Sequence, residues 1–285
     1  MLNRRELLTL ATLAPLAATR AGAEPASAFA DLEHRGRGRL GVAALDTHTT
    51  KRIAWRAAER FPMCSTFKLL LAAAVLHNVD VGREQLTHRV AYAEADLLEH
   101  APVTRAHLKN GSITIEELCA AAIQQSDNTA ANLLLTACGG PTAVTRYAGS
   151  LGDRITRLDR IEPDLNSALP GDPRDTTSPK AMLDDTRSVL LGDALSSASR
   201  ELLTSWLLAA ETGLTLIRAA LPAGWKAGDK SGRGGNGSIN DVAILWPPER
   251  APLLVAVYFT ASPEAEKART SVVAEAARIA LGALS

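Results

Sequence analysis

Arg39-Leu40-Gly41-Val42-Ala43-Ala44-Leu45, followed by Ile53-Ala54-Trp55, is the stretch on which the fold turns. Two apolar runs separated by a polar Asp46 to Lys51 segment predict a hairpin. Strand signals then vanish until late in the chain, where Trp225 to Lys230, Asp241 to Trp246 and Leu253 to Thr260 read as three more strands. Helical runs fill the interval: Leu69 onward, Leu118 to Gln124, Thr129 to Ala137, Pro141 to Gly149, Pro179 to Leu191 and Ser199 to Ala210. Thr114-Ile115-Glu116-Glu117 is a capping-box pattern opening the second of these, and a closing helix spans about Glu264 to Leu284. Strands at both ends with helices between predict an α/β (α+β) architecture, a sheet built from both termini with an all-helical lobe inserted. The expected lobes are residues 24–64 with 211–285, and residues 65–210. A cleft between them is the natural place for a site.

Composition narrows the function. The chain has 285 residues, 31 basic and 31 acidic side chains and 46% hydrophobic content, ordinary for a globular protein. A zero formal charge gives no electrostatic footprint for nucleic acid or an anionic membrane. Three cysteines cannot build a disulfide scaffold, and the six histidines form no cluster of metal-ligand spacing. No apolar run reaches membrane-spanning length. A metal-free globular enzyme with no cofactor is expected.

Residues 1–23 read as an export signal. Arg4 and Arg5 are followed by an apolar stretch from Leu7 to Ala18 and a small-residue cleavage site at Ala21-Gly22-Ala23. The segment Asn3-Arg4-Arg5-Glu6-Leu7-Leu8 resembles a twin-arginine signal. Cleavage at Ala26-Ser27-Ala28 is disfavoured, because it would cut into a helix around Phe29-Ala30-Asp31-Leu32-Glu33. Loss of Arg4, Arg5, Arg20 and Glu6 would bring the formal charge to about −2. A periplasmic or secreted protein follows; the competing reading is an N-terminal amphipathic helix.

Four short motifs carry the chemistry. In Ser65-Thr66-Phe67-Lys68 a spacing of three puts Lys68 one helical turn from Ser65, within reach of its hydroxyl. A serine at a helix N-terminus also has free backbone N–H groups beside it to stabilise an oxyanion. Ser126-Asp127-Asn128 falls between two helical runs, either presenting a hydroxyl and an amide into the cleft or simply capping the second helix through Asp127. Glu162-Pro163-Asp164-Leu165-Asn166 lies in a stretch of weak pattern, and its Glu162-Pro163 bond is a candidate cis peptide. Lys230-Ser231-Gly232 stands at the end of a strand, where glycine lets backbone approach a ligand.

The ordered set resembles the class A serine β-lactamases, marked by SxxK, SDN and K-[ST]-G motifs with a glutamate. Phe61-Pro62-Met63, Ser126 to Leu134, Gly139-Gly140-Pro141 and Arg174-Asp175-Thr176-Thr177 extend the likeness over essentially all of the chain after residue 23. The resemblance implies a β-lactamase/transpeptidase-like fold with an antiparallel sheet, and a monomer whose partner is a small β-lactam. By the same resemblance Ser65 is the nucleophile and Ser126 a proton relay to the ring nitrogen. Lys230, Ser231 and Gly232 hold the substrate carboxylate end, and Asn128 the acylamino side chain. Glu162 and Asn166 handle the deacylating water. Whether Lys68 or Glu162 takes the first proton stays open. Arg160 and Asp175 would close the neck of an Ω-loop spanning 160–175. A transpeptidase or carboxypeptidase and a non-catalytic β-lactam sensor are the competing functions, and Glu162 with Asn166 argues against both.

The chain also departs from the family pattern. Positions where many members carry a carboxylate-binding arginine are Ile239 and Leu216 here, which leaves Arg233 or Arg269 to supply the charge. Arg218 reads as structural, reaching Asp229. His100 stands where the family usually has an aromatic wall. Cys64 precedes Ser65, but the position of its disulfide partner in carbapenem-hydrolysing relatives is Gly234, and Ala72 faces Cys119 in the same way. All three thiols, with Cys138, are expected to be free.

Overall fold

The computed structural model describes residues 23–285; the export segment therefore falls outside the described residues save for Ala23. The chain opens with α1 (Ala23–Gly36), the hairpin β1 (Arg39–Asp46) and β2 (Arg52–Trp55), and the short β3 (Phe61–Pro62). It continues through α2 (Phe67–Asp80), β4 (Arg89–Ala91), α3 (Pro102–His107), β5 (Ser112–Thr114), α4 (Ile115–Gln124), α5 (Asn128–Ala137) and α6 (Thr142–Ser150). After a loop come β6 (Thr176–Thr177), α7 (Pro179–Leu191) and α8 (Ser197–Leu208). The chain ends with β7 (Lys226–Gly234), β8 (Ser238–Trp246), β9 (Leu253–Thr260) and α9 (Glu266–Leu284).

The main sheet has the order β2-β1-β9-β8-β7 and is antiparallel throughout. β9 is buried along its whole length, and its alternation explains why. Leu254, Ala256 and Tyr258 face the core shared with the inserted helices, while Leu253, Val255, Val257 and Phe259 face the core under α1 and α9. A strand covered on both faces needs no polar positions. On the insert side, α2 is buried on every side from Phe67 to Leu76 and is the axis around which the other helices pack.

Two expectations need correction. The insert is not all-helical: β4 pairs with β5, and β6 pairs with β3 ahead of the insert. These ladders are two or three residues long, too short to leave a period in sequence. Likewise Lys230-Ser231-Gly232 lies in the middle of β7, not at a strand end, with Ser231 opposite Asp241 and Gly232 opposite Asn240. Ser, Gly and Arg carry no apolar signal there, and pairing with β8 overrides their low strand propensity. The capping box forms as its residues predict: Thr114 Oγ1 accepts from Glu117 N and Glu117 Oε2 from Thr114 N.

Candidate active site

Ser65 sits in a 3-10 turn, Cys64–Thr66, that runs directly into α2. The residue before it, Cys64, has φ of +46°, and Ser126 has φ of +56°. Non-glycine residues in this region store roughly 1–3 kcal/mol each, and both flank or carry a reactive hydroxyl. Strand β7 comes up beside the turn because Gly232 has no side chain: a Cβ there would lie 2.8 Å from Met63 O and 3.1 Å from Ser65 N. Asn240 on β8 fixes the approach, its Nδ2 donating to Pro62 O at 2.8 Å and to Met63 O at 3.2 Å.

Lys68 is wholly buried and is the hub of the polar cluster. Its Nζ donates to Ser65 Oγ at 3.1 Å, Ser126 O at 2.8 Å and Asn128 Oδ1 at 2.6 Å. It also pairs with Glu162 Oε1 at 3.1 Å, and the Ser65 hydroxyl lies 3.5 Å from the same oxygen. Burial lowers the Lys68 pKa, against the opposing pull of Glu162. Lys230 is equally buried; burial, then repulsion from Lys68, brings its pKa down to about 7. Its Nζ donates to Ser126 Oγ at 3.1 Å and Ser231 O at 2.8 Å. Ser126 thus lies between the two lysine amines.

The two readings of the Ser126-Asp127-Asn128 motif turn out to be divided among its residues. Asp127 is the N-cap of α5, accepting from Ala130 N, and its other oxygen takes the N–H groups of Val103 and Thr104. With the cap supplied by the buried carboxylate, Ser126 and Asn128 are left to face the cavity.

Glu162 enters from the loop, preceded by no regular element and followed by a cis bond to Pro163. Its Oε2 accepts a short hydrogen bond from Asn166 Nδ2. Asn166 Oδ1 is buried without a partner among the described residues. Arg160 Nε meets Asp175 Oδ2 at 2.6 Å, and Asp175 Oδ1 accepts from the N–H groups of Asp159 and Arg160. The Asp175 carbonyl takes Met63 N at 2.9 Å, so the neck of the loop is tied to the segment that carries Ser65.

A cavity of about 290 Å³ opens over these groups, lined by Ser65, His100, Ser126, Asn128, Asn166, Thr212, Ser231, Gly232 and Arg233. A larger one of about 340 Å³ behind the loop, lined by Arg39, Arg60 and Pro170 among others, has no serine, cysteine or lysine in its lining. His100 forms part of the wall, its Nε2 2.9 Å from Gln125 O. The cavity therefore brings together a serine at a helix start, two buried lysines, a second serine, a carboxylate and an amide. That set can attack a carbonyl, hold an oxyanion, protonate a leaving group and activate water.

Sequence reasoning gave no role to two residues. Asn132 clamps the backbone of Glu162, and its spacing of four from Asn128 on α5 was the available signal. Thr212, which accepts from Ser231 Oγ at 2.7 Å, lies in an irregular stretch and left none. Of the departures, Ile239 and Leu216 are buried apolar residues. Arg218 bonds Asp229 and the carbonyls of Leu207 and Leu208. A Cβ at Gly234 would stand 2.6 Å from Cys64 Sγ, and Cys64, Cys119 and Cys138 are all free.

Known proteins resemble this chain along most of its described length. A family model described as the beta-lactamase enzyme family matches residues 24–284. The chain is 47% identical over 251 residues to beta-lactamase CTX-M-8 of Citrobacter amalonaticus, covering 88% of this chain and 86% of that one. It is 47% identical over 256 residues to a beta-lactamase of Amycolatopsis lactamdurans, covering 90% and 84%. Among solved structures, an ancestral class A beta-lactamase superposes with a TM-score of 0.89 at 56% identity, over 91% of this chain and 99% of the other.

Proposed function

The chain belongs to the class A β-lactamases, hydrolases of the β-lactam amide bond that confer resistance, and we propose that Ser65 opens the ring of penicillins and cephalosporins through an acyl-enzyme. The observation that carries this reading is the position of Lys68 Nζ, 3.1 Å from both Ser65 Oγ and Glu162 Oε1.

In the proposed acylation, Ser65 Oγ bonds to the carbonyl carbon as its proton passes to the Lys68 amine, and Glu162 stays ionised for the later step. Burial of Lys68 supports this order, because a lysine of lowered pKa can act as a base. Backbone N–H groups of Ser65 and Arg233 hold the oxyanion. As the C–N bond breaks, Ser126 gives its proton to the ring nitrogen and is resupplied by the ammonium groups on either side. Asn128 and His100 contact the acylamino side of the substrate; Lys230, Ser231, Gly232 and Arg233 face its carboxylate end. In deacylation Glu162 takes a proton from a water held with Asn166, the hydroxide attacks the ester carbonyl, and the C–Oγ bond breaks as Ser65 Oγ recovers that proton from Glu162. Arg160 and Asp175 have a structural part, holding the loop neck closed. No metal or cofactor is required by these steps.

We take residues 24–64 with 211–285 and residues 65–210 as the two lobes, and residues 1–23 as an export signal that delivers a monomeric enzyme to the periplasm or medium. Among the described residues no helix is long and apolar enough to cross a membrane. A chromogenic cephalosporin tests the function directly. Wild-type protein should turn over continuously, whereas Glu162→Ala should give one stoichiometric acyl adduct by intact mass and lose about 10²–10⁴-fold in turnover. A single burst from the wild type would favour a sensor or transpeptidase, and rapid turnover by Glu162→Ala would sink the assignment of its base.

A further inference from the structure

A third cavity, of about 430 Å³, shares no lining residue with the one over Ser65. One wall comes from residues 151–155, which lead into the Glu162 loop, and the other from residues 178–188, where α7 leads out of it. Its size is that of a small-molecule site. Three carboxylates line it, and two of them have partners. Asp153 Oδ1 accepts from Ile155 N at 2.6 Å, and Asp184 meets Arg52 Nη2 at 2.8 Å and Lys180 Nζ at 2.6 Å. Asp185 is different. It is 3% exposed, and its Oδ2 is buried without a hydrogen-bond partner among the described residues. The charges acting on it most strongly are those of two more carboxylates, Asp153 within hydrogen-bond reach and Asp184 beyond. Burial, then Asp153, push its pKa up to about 9, so the empty cavity holds it as a neutral acid. Of the cations in the lining, Lys180 is held by Asp184 and Arg154 is exposed. No group of three or more His, Cys, Asp or Glu side chains among the described residues is placed to hold a metal ion, so the carboxylates are spread over the wall and not gathered at a point. Between them the lining is apolar, with Leu151 and an exposed Ile155.

We propose that this cavity binds an organic ammonium ion carried on a short apolar chain, with Asp185 as its counter-ion and Leu151 and Ile155 against the chain. The site is separate from the serine and does not depend on the hydrolase reading. The ammonium group brings the N–H donors that the protein does not give Asp185, and a buried polar group left without them is costly. On binding, Asp185 ionises and its proton goes to solvent, while the ligand keeps its own. Asp153 stays bound to the backbone of residues 155 and 156, so an occupant bridges the strand entering the loop and the helix leaving it.

Calorimetric titration of the intact protein with n-pentylammonium tests the site, with 1-pentanol and pentanoate as uncharged and anionic controls. The ammonium should bind with a Kd of about 0.1–10 mM, and both controls at least about tenfold more weakly. Affinity should rise by up to about tenfold per pH unit between about pH 6 and 8, because Asp185 must lose its proton, and level off near 9. Asp185→Asn should weaken binding about 10–100-fold and flatten that pH dependence. Hydrogen exchange should slow on binding at residues 153–156 and 178–185. Binding of pentanol as tight as that of the ammonium, or no binding up to about 100 mM, would overturn the site and leave Asp153 and Asp185 as a pair sharing one proton. A flat pH profile in the wild type would remove Asp185 as the counter-ion, whether or not the Asn variant folds. Protection confined to other segments would place the ligand elsewhere and overturn the assignment.

Discussion

Asn132 holds the backbone of Glu162 from both sides: its Oδ1 accepts from Glu162 N at 2.9 Å and its Nδ2 donates to Glu162 O at 2.9 Å. The pairing copies what a β-partner would do for an isolated residue in a loop, and it bolts that loop to helix α5. Replacing Asn132 by Ala removes two hydrogen bonds worth about 1 kcal/mol each and frees the carboxylate to drift. Deacylation should slow about tenfold or more while acylation is much less affected, since a misplacement of about 1 Å is costly in catalysis. Pre-steady-state acyl-enzyme accumulation with a slow cephalosporin measures both steps; equal loss in each would contradict the clamp's role.

The pH dependence follows from Lys230. An ordinary lysine holds its proton to 10.5, whereas burial and then Lys68 bring this one down to about 7. Below pH 7 the ammonium is charged in folded and unfolded chains alike, and the fold bears the whole cost of burying it. As pH rises from about 7 to 10.5 the native state gives up a proton that the unfolded chain keeps, so this group's contribution to stability rises across that window. Activity runs the other way. The charge facing an anionic substrate is lost above about 7, so kcat/KM for the free enzyme should show an alkaline limb near that value. Lys230→Arg should move the limb upward, because guanidinium stays protonated; an unchanged limb would assign it to another group.

Gly232 is where two backbones meet. A methyl group there would press on Met63 O at 2.8 Å and Ser65 N at 3.1 Å, both backbone atoms with little freedom. Gly232→Ala should therefore destabilise the fold by about 1–3 kcal/mol and push β7 away from the nucleophile. Acylation should fall at least tenfold, visible as a reduced burst rate, with thermal unfolding reporting the stability loss in parallel. Normal acylation with normal stability would show that the strand has room to yield.

The cysteines give a direct count. Cys64 and Cys119 are fully buried, and burial raises both thiol pKa values; Cys138 is partly exposed, with its pKa pushed up to about 11. Thiolate is the reactive form, so native protein at pH 8 should label slowly, at Cys138 if anywhere. Unfolding in denaturant without reductant should expose three titratable thiols. A lower count would reveal a disulfide.

The sheet was legible in the sequence because its central strands are covered on both faces. Leu253 to Thr260 must be apolar throughout, and composition alone then gives its bounds. The middle of β7 was not legible, since Lys230, Ser231 and Gly232 are chosen for the cavity and are held in the strand by their register with Val242, Asp241 and Asn240. The short ladders β3–β6 and β4–β5 were missed because two or three residues set no period.

By itself, then, the sequence determined the family, the order of the four motifs, the helix that brings Lys68 back to Ser65, and the residue types able to do the chemistry. Those depend on spacing within one element or on local caps, which chain geometry fixes. Only the tertiary structure decided how residues 65, 126, 162 and 230 converge, that Asp127 would take the cap and release its neighbours, and that Asn132 would clamp Glu162. It alone sent Arg233 toward Thr212 and Glu266 while Arg218 went to Asp229. Such pairings join parts of the chain far apart in sequence, and buried charges accept whatever partner the packing of both lobes brings within hydrogen-bond reach.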